Sequence, residues 1–177
     1  MEKQKLTYGT TVRVSLSAMN PYASQLGNHD PMRVLESTAS RLKEISDLLG
    51  AQIGHSPAPG KWSPREVFIH LADCELAFGF RYRQALGEEN YVVQPFDQDK
   101  WAKAYAAYSA EQALSTFNVL RNWNLALLRT LTTEQLNKVL THPERGQETV
   151  RTLIEISAGH DINHLERLKA VVATPAA

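Results

Sequence analysis

Four stretches of this 177-residue sequence repeat their apolar residues at the spacing of one helix face, and each opens on a helix-capping signal. Asp30 followed by Pro31 marks the first start, since a side-chain acceptor satisfies free amides and proline needs no amide partner at the first helical position. Leu35, Leu42, Ile45, Leu48 and Leu49 give this helix its apolar face, which ends near residues 50–54. Ser63-Pro64-Arg65-Glu66 is a capping box that opens helix two, with Val67, Leu71, Cys74, Phe78 and Tyr82 as its stripe and His70 within the stripe's width. Helix three opens at Ser109, where Gln112 completes a second capping box, and turns Leu114, Phe117, Leu120, Asn124, Leu127, Leu128 and Leu131 inward. Thr149 caps helix four, whose inward positions read Val150, Leu153, Ile154, Ser157, His160, Asp161, His164, Leu168 and Val171.

A one-sided helix must bury its stripe against another element, and the connections decide which. The link between helices one and two, His55-Ser-Pro-Ala-Pro-Gly-Lys61, is rich in breakers and short enough for antiparallel neighbours. Residues 87–108 exceed the roughly 12 to 15 residues of an ordinary loop and are long enough to cross a bundle, leaving helices two and three parallel. The expected fold class is all-α: a four-helix bundle, up-down-down-up, with a long crossover between helices two and three. Thr132 to Leu136 reads as a helical turn and Thr141 to Gly146 as a loop. Residues 1–29 have β-branched character at Thr10 to Val14 and breakers at Asn20-Pro21 and Gly27-Asn28; they read as an N-terminal arm outside a bundle domain of residues 30–177.

Composition narrows the function classes. Basic and acidic residues balance at 19 each, so no positive field draws nucleic acid or an anionic membrane. The first residues lack the apolar core of a signal peptide, no run approaches the roughly 20 apolar residues of a membrane span, and the one cysteine, Cys74, cannot form an internal disulfide. These features predict a cytoplasmic protein with neither nucleic acid nor membrane as partner.

Chemistry concentrates on helix four. His160 and His164 are four residues apart, so both imidazoles leave one face and can share an ion. With helices two and four antiparallel, a rise of about 1.5 Å per residue puts His70 roughly 10 Å from the start of helix two. The same rise puts His164 roughly 12 Å from a helix-four end near residue 172, so the three rings share one depth. A lone core histidine is more often a hydrogen-bonded structural residue; the pair and the shared depth favour ligation here. Three neutral imidazoles suit Zn²⁺, Ni²⁺, Fe²⁺ or Co²⁺ and leave coordination open for water or substrate, as in catalytic sites. Asp73, one turn beyond His70, and Asp161, just before His164, are candidate catalytic carboxylates, placed to act as a general base or to orient a ligand ring. Cys74 reads as a small core residue, His29, His55 and His142 as exposed, Arg81 and Arg83 as surface charge, and Asn124 as a core amide or a pocket donor. Asp97 and Trp101 lie on the crossover that spans the site.

Lys61-Trp-Ser-Pro-Arg-Glu-Val-Phe-Ile-His70-Leu-Ala-Asp73, Phe96-Asp-Gln-Asp99 and Ala158-Gly-His160-Asp-Ile-Asn-His164-Leu165 together resemble the DinB-like superfamily of metal-dependent bacterial proteins. The likeness is greatest to the branch of bacillithiol and mycothiol S-transferases and covers about residues 31–172. It implies the same bundle, a divalent metal ion on His70, His160 and His164, a homodimer, and a small-molecule substrate that meets a low-molecular-weight thiol. The expected function is a metal-dependent thiol S-transferase or hydrolase, in which the ion lowers the pKa of a bound thiol or water. The alternatives are a non-catalytic metal-binding or ligand-sensing module and a structural protein whose histidines are satisfied without metal.

Overall fold

The computed structural model describes residues 20–174, so the β-branched stretch Thr10 to Val14 lies outside the described residues. A short helix, α1 (Ala23–Leu26), precedes α2 (Pro31–Leu49), which runs into a 3-10 turn over Gly50–Gly54. Next come α3 (Pro64–Gly87), the short α4 (Gln98–Ala102) within the crossover, and a 3-10 turn at Tyr105–Ala107. The chain closes with α5 (Ala110–Leu128), α6 (Thr133–Leu136), the strands β1 (Val139–His142) and β2 (Gly146–Thr149), and α7 (Val150–Ala173). All four capping signals are realised. Asp30 accepts from the amides of Met32 and Arg33, Ser63 with Glu66 and Ser109 with Gln112 form reciprocal boxes, and Thr149 accepts from Thr152.

Helices α2, α3, α5 and α7 form the four-helix bundle, with α3 against α5 and α2 against α7 as the main pairs. The other two sides are closed by α2 with α5 and α3 with α7. Arg129, just after α5, reaches Glu36 near the start of α2 at 2.9 Å. Arg65, at the start of α3, donates to the carbonyls of Tyr105 and Tyr108 just before α5. None of the described helices is long and apolar enough to cross a membrane.

Several local expectations are corrected. The stretch read as a loop at Thr141 to Gly146 belongs to an antiparallel hairpin, with Val139 opposite Thr149 and His142 opposite Gly146. Its strands are only four residues long and mostly polar, which hides the period-two signal. Val93 and Tyr91 from the crossover bond to Thr141 and brace the hairpin. His142, expected to be exposed, is consequently buried and accepts the Glu144 amide at Nδ1. Arg81, expected on the surface, is also buried, with its guanidinium over the rings of Phe78 and Phe96. Asn124 is a core amide, donating to Glu75 and accepting from Arg83. Leu120 and Leu127, expected inward, are only half-buried, whereas Arg121 is fully buried beside the expected Asn124.

That rotation reveals how the core is built. One apolar cluster gathers Leu35, Phe78, Tyr82, Leu125, Leu128 and Leu153; the other gathers Leu42, Ile45, Phe68, Leu71, Phe117 and Leu165. Where the two clusters meet, the bundle carries buried polar side chains: Thr38, His70, Glu75, Arg121, Asn124, His160, Asp161 and His164. Within this polar layer Arg121 lies 2.8 Å from Glu75 and 2.8 Å from Asp161, and donates to the Leu35 carbonyl. The approach to Asp161 Oδ2 is an ion pair off the hydrogen-bond axis, since that oxygen has no aligned donor among the described residues. Burial alone would make Arg121 easier to deprotonate, but the two carboxylates outweigh it and hold the guanidinium charged.

Replacing Arg121 with leucine would strand two buried carboxylates. Arg121→Leu is expected to cost about 3–5 kcal/mol in chemical denaturation, whereas a loss below about 1 kcal/mol would contradict a buried ion-pair role. Gly159 supplies a second test. A Cβ there would stand 2.6 Å from Tyr22 Cβ and 2.7 Å from the Tyr22 carbonyl oxygen, and backbone yields little. Gly159→Ala should therefore destabilise by roughly 1–3 kcal/mol despite alanine's better helix propensity. Hydrogen exchange should rise first over residues 20–27; unchanged exchange there would remove the contact from the account.

Candidate metal centre

The capping box at Ser63 fixes where α3 begins, and His70 then falls at a buried position on the face turned toward α7. On α7, Thr149 sets the start and the four-residue spacing stacks His160 above His164. The result is a meeting of three rings. His70 Nε2 lies 3.1 Å from His160 Nε2, and His164 Nε2 lies 3.1 Å from the same atom. The His70 and His164 ring centroids are 5.0 Å apart. Nitrogen ligands about 2.0–2.1 Å from a zinc ion stand roughly 3.0–3.4 Å from one another, so this spacing suits a shared ion.

Hydrogen bonding alone satisfies the cluster poorly. A neutral ring nitrogen carries either a proton or a lone pair, yet His160 Nε2 faces two others at once. His164 Nδ1 is buried without a hydrogen-bond partner among the described residues. A cation that takes all three Nε2 lone pairs removes the conflict at His160. Burial lowers the pKa of His70 to about 4. Burial, then the charges of His70 and Arg167, lowers that of His164 to about 3. Burial and its two histidine neighbours push His160 well below the usual range. All three rings are therefore neutral at pH 7 and have lone pairs to offer.

Cys74 belongs to the site's surroundings as well as to the core. Its Sγ lies 3.5 Å from His70 Nε2, and the donor atoms of His70, Cys74 and His160 all fall within 4.8 Å of one another. Burial first, then Asp161 and Glu75, pushes the thiol well above its ordinary pKa, so the group is protonated when no ion is bound.

The two candidate carboxylates sit apart from the open side. Asp161 is buried against Arg121, and its pKa is raised by burial, with Arg121 opposing and Glu75 reinforcing the shift. Asp73 is half-buried; burial raises its pKa while the Tyr105 hydroxyl opposes. The Tyr105 hydroxyl has no aligned hydrogen-bond partner, so it faces Asp73 without a formed bond. Neither carboxylate lines the cleft that reaches the histidines. That cleft has a volume of about 850 Å³ and is lined by His160 and His164 on its floor, with Tyr22, Trp62, Asp99 and Arg167 around them. The Trp62 ring centroid lies 5.0 Å from that of His70, and Tyr22 meets His160 edge-on at 5.3 Å. The crossover reaches the cleft through Gln98 and Asp99 rather than through Asp97, which caps α4, or Trp101, which packs on Phe96.

Glu75, Arg121, Trp62 and Tyr22 were missed as parts of this region. Glu75 follows Leu71 by four residues and Arg121 follows Phe117 by four, so each occupies an apolar-stripe position. A charge on such a stripe signals a buried partner of opposite sign. Tyr22 carries no comparable signal, because the segment before Asp30 has no periodicity to place it.

Comparison with known proteins places the chain in a family. The family model described as DinB superfamily matches residues 33–168. A protein of Oceanobacillus iheyensis named "Putative metal-dependent hydrolase" is 32% identical over 143 residues, covering 80% of each chain. YfiT of Bacillus subtilis, with the same description, is 26% identical over 141 residues, covering 77% of this chain and 79% of its own. The solved structure of YfiT, described as having an unusual four-helix bundle topology, superposes with a TM-score of 0.72 over 95% of both chains at 23% identity. With most of its length matched by that family model, the chain belongs to the DinB superfamily.

Proposed function

We propose that the chain is a metal-dependent enzyme, a hydrolase or thiol S-transferase, in which His70, His160 and His164 hold one divalent ion at the floor of the cleft. The approach of both His70 Nε2 and His164 Nε2 to within 3.1 Å of His160 Nε2 carries this reading. The relatives' description as metal-dependent hydrolases supports activation of water, and the resemblance of the sequence motifs to thiol S-transferases supports activation of a thiol. When bound, the ion would supply a nucleophile by lowering the pKa of that water or thiol. Zn²⁺, Ni²⁺, Fe²⁺ and Co²⁺ all suit an imidazole set.

The protein's own groups then divide the work. His160 and His164 face the cleft and fix where the nucleophile stands, while Trp62 and Tyr22 shield the rings from bulk water. Asp161 is a positioning residue, tying the histidine-bearing turn of α7 to Arg121 of α5. Asp73 stands off the cleft lining, so any proton it exchanges with the site passes through an intervening water; burial raises its pKa and the Tyr105 hydroxyl opposes that shift. The up-down-down-up order is part of the proposal. It is supported by the pairings of Arg65 with the segment before α5 and of Arg129 with the start of α2. The homodimer implied by the resemblance is supported by the exposed Leu76 and Phe80 of α3 and Val119 and Trp123 of α5.

A second reading has its own observation. Cys74 Sγ, 3.5 Å from His70 Nε2, offers a fourth protein donor, and four protein ligands would close the shell into a structural or sensing site. The neutral imidazoles need no deprotonation, whereas the Cys74 thiol does, which favours the open three-histidine set.

Untagged protein should bind about one equivalent of divalent metal, and His160→Ala should weaken that binding by at least ~100-fold. Metal-loaded protein should also speed either ester or amide hydrolysis, or thiol addition to epoxides or chloronitrobenzenes, relative to His160→Ala. Metal bound tightly with no acceleration in either screen would leave the closed-site reading. Proton competition provides another test. The ligand pKa values are lowered to about 4 for His70 and about 3 for His164, so the rings stay unprotonated below the ordinary 6.5. Metal affinity should therefore change little between roughly pH 7.5 and 5.5 and fall only as the pH nears the lowered values. A steep loss between pH 7 and 6 would show that the rings titrate as solvent-exposed histidines.

A further inference from the structure

The cleft carries a charge bias that metal binding does not use. Arg167 follows His164 by three residues, so its side chain leaves α7 on the histidine side, and it lines the cleft beside both histidines. Lys61, just before Trp62, also lines it. Among the described residues neither cation forms an ion pair, and Asp99 is the only acidic residue on the lining. Two cations against one carboxylate leave the walls net positive before any ion is bound. The wall that carries Tyr22 is fixed by close packing: Gly159 leaves no room for a side chain beneath Tyr22, whose ring stands edge-on to His160. Burial raises the Tyr22 phenol above its usual pKa, so it stays a protonated hydrogen-bond donor.

We propose that the cleft takes substrates bearing an oxyanion group, a carboxylate or a phosphate, which pairs with Arg167 while the reacting bond lies over the histidine nitrogens. A guanidinium presents parallel N–H donors that match two oxygens of either group, which fixes orientation as well as charge. A concave wall of one sign also raises the local concentration of such ligands. The segment before α2 takes part through Tyr22, which precedes the residues matched by the family model. The inference rests on the metal-centre reading for the position of the reacting bond, but the Arg167 contact itself does not require the ion.

Zinc-loaded and EDTA-treated protein, each isotope-labelled, would be titrated by NMR with inorganic phosphate, with acetate and with neutral acetamide. Zinc content is measured in parallel for wild type, Arg167→Gln and Arg167→Lys. In both forms Arg167→Gln is expected to weaken phosphate or acetate binding about 10-fold, with zinc content unchanged and acetamide unaffected. Arg167→Lys should recover part of the loss. A loss confined to phosphate or to acetate identifies which group the cleft takes. Binding of both anions within twofold of wild type in Arg167→Gln, or no anion binding by wild type, would overturn the proposal. Failure to bind zinc with the Arg167 dependence intact would instead overturn the metal reading and leave the anion contact standing.

Discussion

The guanidinium of Arg121 lies between two buried carboxylates, Glu75 on α3 and Asp161 on α7, and also reaches the Leu35 carbonyl on α2. One side chain from α5 thereby touches each of the other three bundle helices. Charges at this depth are tolerated only when paired, so the contact dictates the axial register of all four helices more sharply than leucine packing, which accepts small slides. The apolar clusters on either side supply the bulk of the burial, and the polar layer between them decides how the helices align. Whole replacement of such a layer by well-packed hydrophobic residues is often neutral or stabilising, so its presence here is explained by what it positions.

What it positions is the histidine cluster. Asp161 is the immediate neighbour of His160, and Glu75 follows His70 by five residues, so the same network that registers α3 against α7 sets the two histidine-bearing turns face to face. Two carboxylates and one guanidinium leave this layer one charge short of neutral when both acids are ionised. Three neutral imidazoles next to that deficit make a site complementary to a cation. Rigidity on the inner side contrasts with the cleft on the outer side, where His160 and His164 reach solvent-accessible space. A catalytic centre needs that combination of a fixed ligand set and an open approach.

The helices and their ends were legible because capping is local chemistry: Asp30, Ser63, Ser109 and Thr149 announce their helices within four residues of sequence. The histidine meeting was legible because helical rise converts residue number into depth, which brought His70 level with His160 and His164. Long-range charge pairing was not. Treating Leu120 and Leu127 as the inward face of α5 follows the ordinary preference for leucine inside, and it turned Arg121 outward by about one residue. The hairpin at Val139–Thr149 escaped for a related reason: its buried residues include His142 and Glu148, which sequence patterns assign to solvent. Tyr22 and its seat on Gly159 depend on a docking contact between segments far apart in the chain, for which no local pattern exists.

The central claim is that three histidines, without the nearby cysteine, hold the ion. X-ray absorption at the zinc edge of protein reconstituted with one equivalent of Zn²⁺ tests it most directly. A first shell of nitrogen and oxygen at about 2.0–2.1 Å is expected, with the outer scattering of three imidazoles and no sulfur. A sulfur scatterer at about 2.3 Å, or fewer than three imidazoles, would contradict it.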